Sequence, residues 1–236
     1  MSGSIRLYVE PPLATGAAIA ATAAQAHYLG TVMRRGPGDT LRLFNGRDGE
    51  FQAHIETLHR DRAAVLRVEL PLRPQAAEPD LWLAFALLKR DATDLVVQKA
   101  TELGVAAVLP ILTERTNAHR VNETRLAAIA VEAAEQCERL TIPRIHAPRP
   151  LADVLASWPG DRALFIAVER AAAPPLHPLC GPAALLVGPE GGFTPKELDA
   201  MAAHPFVTRV TLGPRILRAE TACIAGLALL QAPACG

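Results

Sequence analysis

Hydrophobic positions change their spacing part-way along the chain of 236 residues, and the change divides it in two. Up to Leu70, apolar residues come in short, largely alternating runs. Arg6-Leu7-Tyr8-Val9 is β-prone, and Thr40 to Phe44 alternates ahead of an Asn45-Gly46 turn. Phe51–Ile55 and Ala63–Leu70 continue the period of two that turns one face of a strand towards a core. Ala23 to Met33 has helical character, stopped by Gly36-Pro37-Gly38-Asp39. The pattern predicts a small barrel with one helix on its rim.

Beyond Pro79 the pattern becomes one of alternating strands and helices. Leu81–Leu88 is a nearly continuous apolar run, as a strand covered on both faces requires. Further strands are predicted at Val105–Leu109, Ala163–Val168, Ala183–Val187 and Val207–Leu212. Helices are predicted at Asp94–Leu103, closed by Gly104, after an Asn122 cap, and over Ala219–Gln231. Thr194-Pro195-Lys196-Glu197 reads as a sharp helix start, with a hydroxyl cap, proline at the first position and glutamate at the third. Repeated strand–helix units predict an α/β fold with a largely parallel sheet and helices on both faces. The proline-punctuated stretch Pro71 to Pro79 reads as the joint. The expected division is a domain at 1–72, a linker at 73–79 and a domain at 80–236.

Charge changes the picture little. The chain carries 24 basic and 24 acidic residues, so no global field draws it to nucleic acid, and recognition of RNA would fall to local patches. All but Lys89, Lys99 and Lys196 of the basic residues are arginine, the side chain whose planar fork suits phosphate and base edges. Cys137, Cys180, Cys223 and Cys235 show no ligand spacing and read as small core residues or inert thiols of a reducing compartment. No metal site is expected. No stretch approaches the roughly 20 apolar residues of a membrane-spanning helix, and Ala14–Ala24 is too weakly apolar for a signal segment. A cytoplasmic protein without membrane partners is the expectation.

Two loops carry the chemistry, because both follow the C-terminal end of a predicted strand, where open α/β sheets bind their ligands. The first is Gly188-Pro189-Glu190-Gly191-Gly192, whose glycines let backbone approach a ligand closely. A tight connector with no ligand would also account for it. It fits neither the phosphate loop of nucleotide hydrolases nor the dinucleotide fingerprint. The second is Leu212-Gly213-Pro214-Arg215-Ile216-Leu217-Arg218-Ala219-Glu220-Thr221. Arg215 and Arg218 suit a phosphate or an electron-rich base, whereas Glu220 and Thr221 equally suit the opening of the last helix.

Together these loops resemble the cofactor loops of SPOUT methyltransferases, and nearly the whole chain resembles the RsmE family. The resemblance includes Arg6-Leu7-Tyr8-Val9, His27-Tyr28-Leu29, Val32-Met33-Arg34 and Leu43-Phe44-Asn45-Gly46. It continues through Gln98 to Val105, Thr113-Glu114-Arg115 and Glu132-Ala133-Ala134-Glu135-Gln136-Cys137, and departs at Thr116-Asn117-Ala118-His119. It implies a PUA-like RNA-binding β-barrel followed by a SPOUT domain with a C-terminal trefoil knot, assembled as a homodimer. The implied reaction is methylation by S-adenosyl-L-methionine of uracil N3 in 16S ribosomal RNA, in the small ribosomal subunit. The expected cofactor site comprises Phe165, Ile166, Gly188, Pro189, Glu190, Gly191, Gly192, Leu212, Gly213, Ile216, Leu217 and Thr221.

Uracil N3 is a poor nucleophile while protonated, so an arginine beside O2 or O4 would stabilise the developing anion. Arg218 and Arg6 are the candidates, Arg6 reaching the partner subunit's pocket, with Glu220 as a possible proton acceptor. A phosphate contact or a surface charge would account for Arg6 equally well. Arg34, Arg35, Arg115 and Arg215 are expected to meet RNA. Two other functions compete: methylation of a transfer-RNA ribose hydroxyl by a related SPOUT enzyme, and a catalytically silent RNA-binding or assembly module.

Overall fold

Residues 5–59, 62–116, 120–169, 173–178 and 181–232 are described by a computed structural model. Asn117, Ala118, His119, Cys180 and Cys235 lie outside them. The chain divides into two units, Met1–Ala77 with Ala134–Ile142, and Glu78–Ala133 with Pro143–Gly236.

In the first unit the alternating segments become β1 (Arg6–Tyr8), β2 (Ala18–Ala21), β3 (Thr40–Phe44), β4 (Glu50–His59) and β5 (Ala63–Arg73). They form one sheet in the order β1-β3-β4-β5-β2. Only the β1–β3 pair is parallel. Leu7 and Ile19, from the two edge strands, share one core with Leu41, Leu43, Ala53, Ile55, Leu66 and Val68, so the sheet curls around a single interior. The rim helix is short. α1 (Ala23–His27) starts at a Thr22–Gln25 capping box and passes into one π-helical turn over Tyr28–Val32.

Three features of this unit differ from the sequence reading. The alanine-rich run contributes β2, which forms because β5 offers it an edge and Ile19 a place in the core. Pro71 to Arg73, expected at the start of an irregular joint, extend β5. Proline is tolerated there because the register shifts between Glu50 and Phe51, whose partners are Arg73 and Pro71, leaving Leu72 as the extra residue of a bulge. Residues 134–142 also join this unit, a return that hydrophobic spacing did not signal.

The second unit contains β6 (Leu81–Ala86), α2 (Arg90–Glu102), β7 (Ala107–Leu112), α3 (Glu123–Gln136), β8 (Arg144–Ile145), β9 (Arg149–Pro150) and α4 (Leu151–Ala156). It continues with β10 (Ala163–Ala167), β11 (Ala183–Val187), α5 (Pro195–Ala202), β12 (Val207–Val210) and α6 (Ala219–Gln231), the last turn of α3 counting with the first unit. The sheet runs β12-β10-β11-β6-β7-β8, with β9 also on β7, and every pairing is parallel.

Every residue of the central strand β11 is buried. Ala184 and Leu186 pack with Leu151 and Val154 of α4, Trp158 and Met201 of α5. Leu185 faces the other way, onto α6, which approaches so closely that a Cβ on Gly226 would stand 2.5 Å from Leu185 Cδ2. Helices therefore cover both faces, as the continuous apolar runs require. The expected caps are present: the Asn122 side chain accepts from Arg125 N–H at 3.0 Å, and Thr194 and Glu197 form a reciprocal capping box. Gly104, at φ +73°, closes α2. The short α4, β8 and β9 carry too few residues for a period to reveal them.

No described helix is long and apolar enough to cross a membrane. Among the described residues no group of three or more His, Cys, Asp or Glu is arranged to hold a metal ion. Cys223 is buried, which pushes its thiol well above the usual range, and Cys137 is exposed; both are free.

Candidate functional site

Parallel pairing brings the C-terminal ends of β10, β11 and β12 to one edge of the sheet, and the chain leaving each strand there helps to line a cavity of about 990 Å3. The strand β10 leads into Ala167, Val168 and Glu169, β11 into the glycine loop, and β12 into the segment Thr211–Leu217. This volume lies at the upper end of the range for small-molecule and cofactor pockets.

The glycine loop is a turn in which Gly192 N–H donates to Pro189 O at 2.8 Å, and Gly192 has φ +66°. Gly188 is needed for space: a Cβ there would stand 3.0 to 3.3 Å from three atoms of the Phe193 ring, which lines the cavity. Gly213 has φ +123°, a backbone conformation that glycine adopts freely, and its N–H is held by the Thr211 hydroxyl at 3.2 Å. Thr211 is itself anchored, donating its N–H to Pro174 O (2.9 Å) and accepting from Leu176 N–H (3.1 Å).

Of the expected cofactor residues, Gly188, Pro189, Glu190, Gly192, Leu212, Gly213, Ile216 and Leu217 line the cavity. Gly191 does not; its carbonyl turns to Arg115, whose Nη1 donates to it at 2.6 Å. Phe165 and Ile166 lie too far back in β10, and the next three residues take their place. Thr221 is exposed on α6, while its helix neighbours Ala219 and Ala222 line the wall. Arg215, expected to meet RNA, also lines the cavity.

The catalytic candidates separate. Arg218 is exposed at the N-cap of α6, directly after the lining residue Leu217, and Glu220 stands half-buried in that helix's first turn. No side-chain bond caps α6, so Glu220 and Thr221 do not close it as caps; Glu220 is placed to oppose the helix dipole. Arg6 is a correction. Its side chain is 3% exposed inside the first unit, where Nε donates to Glu50 and the two Nη atoms donate to the carbonyls of Ala134, Glu135 and Arg139. A guanidinium so occupied cannot meet a substrate oxygen, and Arg6 is withdrawn from the catalytic group. Arg34 is exposed in the first unit, at φ +54°, and Arg35 is half-buried there.

Sequence reasoning missed Phe193, Leu198, Arg209 and Thr211 of the lining. Phe193 and Thr211 adjoin the two loops, so a wider window would have included them. Leu198 and Arg209 have no such signal, because α5 and β12 bring them together: Arg209 Nη2 donates to Leu198 O at 2.8 Å. Arg209 Nε is buried with no hydrogen-bond partner.

The RNA methyltransferase domain family matches residues 76–231, and the RNA methyltransferase PUA domain family matches residues 21–66. Ribosomal RNA small subunit methyltransferase E of Rickettsia conorii is 34% identical over 232 residues, which cover 96% of this chain and 94% of that protein. The chain belongs to the ribosomal RNA small subunit methyltransferase E family. The Bacillus subtilis member is 28% identical, over 89% of this chain and 88% of its own. The solved family member from Neisseria gonorrhoeae, bound to S-adenosyl methionine, superposes with a TM-score of 0.87 at 28% identity, covering 97% of both chains. A Legionella pneumophila methyltransferase structure with its bound cofactor SAM gives 0.88 at 31% identity, covering 98% of both. The α/β fold with a PUA-like first unit and a parallel-sheet methyltransferase unit is thus that of the family.

Proposed function

We propose that this chain transfers a methyl group from S-adenosyl-L-methionine to N3 of one uridine in 16S ribosomal RNA. The observation that carries the reading is the cavity itself, built from both loops at the strand ends of a methyltransferase-family domain. Its residues fit the cofactor. Val187, Leu212, Ile216 and Leu217 offer apolar wall for an adenine, and the turn at Pro189–Gly192 lets main chain come close. Glu169, Glu190 and Arg209 offer both signs of charge to the zwitterionic methionine end. The cofactor supplies an electrophilic methyl group when bound.

The residues around it have the remaining work. N3 must lose its proton, and an arginine beside O2 or O4 lowers the energy of the resulting anion. Arg218 is our candidate, exposed and directly after the lining residue Leu217, with the half-buried Glu220 proposed as the proton acceptor. Arg215 and the exposed Arg34 are proposed to hold RNA, and residues 1–72 to grip it while residues 80–236 carry the reaction. Access to a single base requires that it be unpaired or flipped from its stack.

We also propose that the chain carries a C-terminal trefoil knot, formed by the segment after Thr211. The bridge between Pro175 and Thr211 and the return of α6 to β11 support it, contrary to the usual avoidance of threading. A cytoplasmic homodimer acting on the small ribosomal subunit completes the proposal.

The test is methyl transfer from labelled cofactor to small subunits that lack the modification, followed by mass spectrometry of the nucleosides. The expected product is 3-methyluridine. A ribose-methylated nucleoside, or no transfer by folded protein that binds the cofactor, would overturn the reading.

A further inference from the structure

The glycine loop has few means of holding its own shape. Three of its five residues are glycine, and the Pro189–Gly192 turn is closed by one backbone hydrogen bond. The support comes from outside, from the loop after β7, which does not line the cavity. That loop is rigid. Thr116 is buried, its hydroxyl accepts from Thr113 N–H (3.0 Å) and meets the Thr113 hydroxyl (2.8 Å), and its own N–H donates to Thr113 O (3.2 Å).

Two ties run from it to the glycine loop. The Glu197 carboxylate, buried at the start of α5, accepts Glu114 N–H on Oε1 and Thr194 N–H on Oε2, each at 2.8 Å. One carboxylate therefore cross-links the β7 loop to the exit of the glycine loop. Arg115 makes the second tie, donating to Gly191 O at 2.6 Å, with its side chain lying over Gly191 where a Cβ would be 3.3 Å from Arg115 Cδ.

We infer that Arg115 and Glu197 are positioning residues, which hold the Pro189–Gly192 turn in its cofactor-binding shape without touching the cofactor. The inference rests on the cavity being a site for S-adenosyl-L-methionine. It reassigns Arg115 from an RNA contact to a brace of the cofactor loop. A ligand that needs one loop conformation binds more weakly in proportion to the loss of that conformation's population. Saturating ligand restores the population, so KM rises by more than kcat falls.

Calorimetry with S-adenosylhomocysteine on the full chain tests this in Arg115→Met, Arg115→Lys and Glu197→Gln, alongside RNA binding without cofactor. Arg115→Met should weaken S-adenosylhomocysteine binding about tenfold, as expected when the bound shape falls to about a tenth of the population. RNA affinity should stay within about twofold, and KM for the cofactor should rise more than kcat falls. Lysine, which retains Cδ and a donor, should recover most of the affinity. Glu197→Gln keeps an acceptor for one N–H and turns a donor towards the other, so it should weaken binding in the same sense. An Arg115→Met protein that binds S-adenosylhomocysteine as tightly as wild type, or loses RNA affinity instead, would overturn the inference. Equal loss of both ligands with a lowered melting temperature would overturn it too. Failure of folded wild type to bind S-adenosylhomocysteine would instead sink the cofactor reading on which it rests.

Discussion

Arg6 and Glu50 form a buried ion pair, Nε to Oε1 at 2.6 Å, with side chains 3% and 1% exposed. Around it the guanidinium also lies 4.3 Å from the centroid of the Phe44 ring and donates to the carbonyls of Ala134 (2.7 Å), Glu135 (3.0 Å) and Arg139 (3.0 Å). These carbonyls end α3 and follow it, where helix acceptors lack intrahelical donors. Tyr8 N–H adds a bond to the Glu135 carboxylate at 2.9 Å. The first strand is thus fastened to residues far along the chain mainly by one arginine.

Removing that arginine should therefore affect folding. Arg6→Met leaves Glu50 with only partly exposed partners, Arg73 at 2.8 Å and Arg42 at 3.9 Å, and removes three bonds to carbonyls, two of them buried. Breaking one side of a buried pair typically costs about 3–5 kcal/mol. Urea denaturation should show a midpoint shifted downwards by that order, and lost methyl transfer should track lost folded protein. An Arg6→Met chain as stable as wild type but inactive would return Arg6 to the chemistry.

Glu50 also gives the first unit an acid sensitivity. Burial alone would raise its pKa, but the hydrogen bonds and charges of Arg73 and Arg6 outweigh burial and hold it below the ordinary 4.5. Since the folded pKa is the lower one, the stabilisation is complete above about pH 4.5 and is lost as pH falls through the folded value. At neutral pH, Glu50→Gln should unfold at lower urea than wild type. The gap should narrow on acidification below pH 4.5, and a gap independent of pH would refute the assignment.

Gly188 and Phe193 make a prediction for the cavity. An alanine at 188 puts its Cβ 3.0 Å from Phe193 Cε2, tighter than about nine in ten real contacts, so the ring must give by a few tenths of an ångström. Phe193 lines the cavity, so its movement changes the cavity's shape. Gly188→Ala should weaken S-adenosylhomocysteine binding by about tenfold or more, since displacement from a productive arrangement is costly. The melting temperature should fall only slightly. Unchanged affinity measured by calorimetry would show that the ring is not a determinant of the site.

Much of this architecture was legible because burial on both faces leaves a plain record. Ala183–Val187 is apolar throughout and is a strand over those same residues; the capping box at Thr194 fixes the start of α5 with equal clarity. The two cavity loops were legible for the same reason, since strand ends and glycines are local features. Arg6 was misread because its partners are distant: Glu50 lies 44 residues away and Arg139 133 residues away, so its burial has no local signal. Arg209 and Leu198 stayed hidden for a similar reason, being joined only once β12 pairs with β10 beside α5. The β5 extension was concealed by Pro71, whose missing N–H falls at a bulge.

Glu138 marks a place where the sequence works against its own backbone. It follows α3 and Cys137 with φ +60°, the left-handed conformation that commonly closes a helix and that glycine adopts without penalty. A side chain there costs about 1–2 kcal/mol. Against this, its carboxylate is 60% exposed and 3.7 Å from Arg42 Nη1, a surface pair worth about 0–1 kcal/mol. Its carbonyl accepts from Arg73 Nη2 at 2.9 Å, a bond any residue at 138 retains. Glycine also loses more freedom on folding, roughly 0.5–1 kcal/mol relative to alanine. Relief of the backbone should prevail by a few tenths of a kcal/mol, so Glu138→Gly should melt slightly above wild type. Glu138→Ala keeps the strain and loses the pair, so it should melt below both. If thermal melting places the glycine variant below the alanine one, glycine's greater loss of freedom outweighs the relief of strain, and the left-handed turn is not where this helix end loses stability.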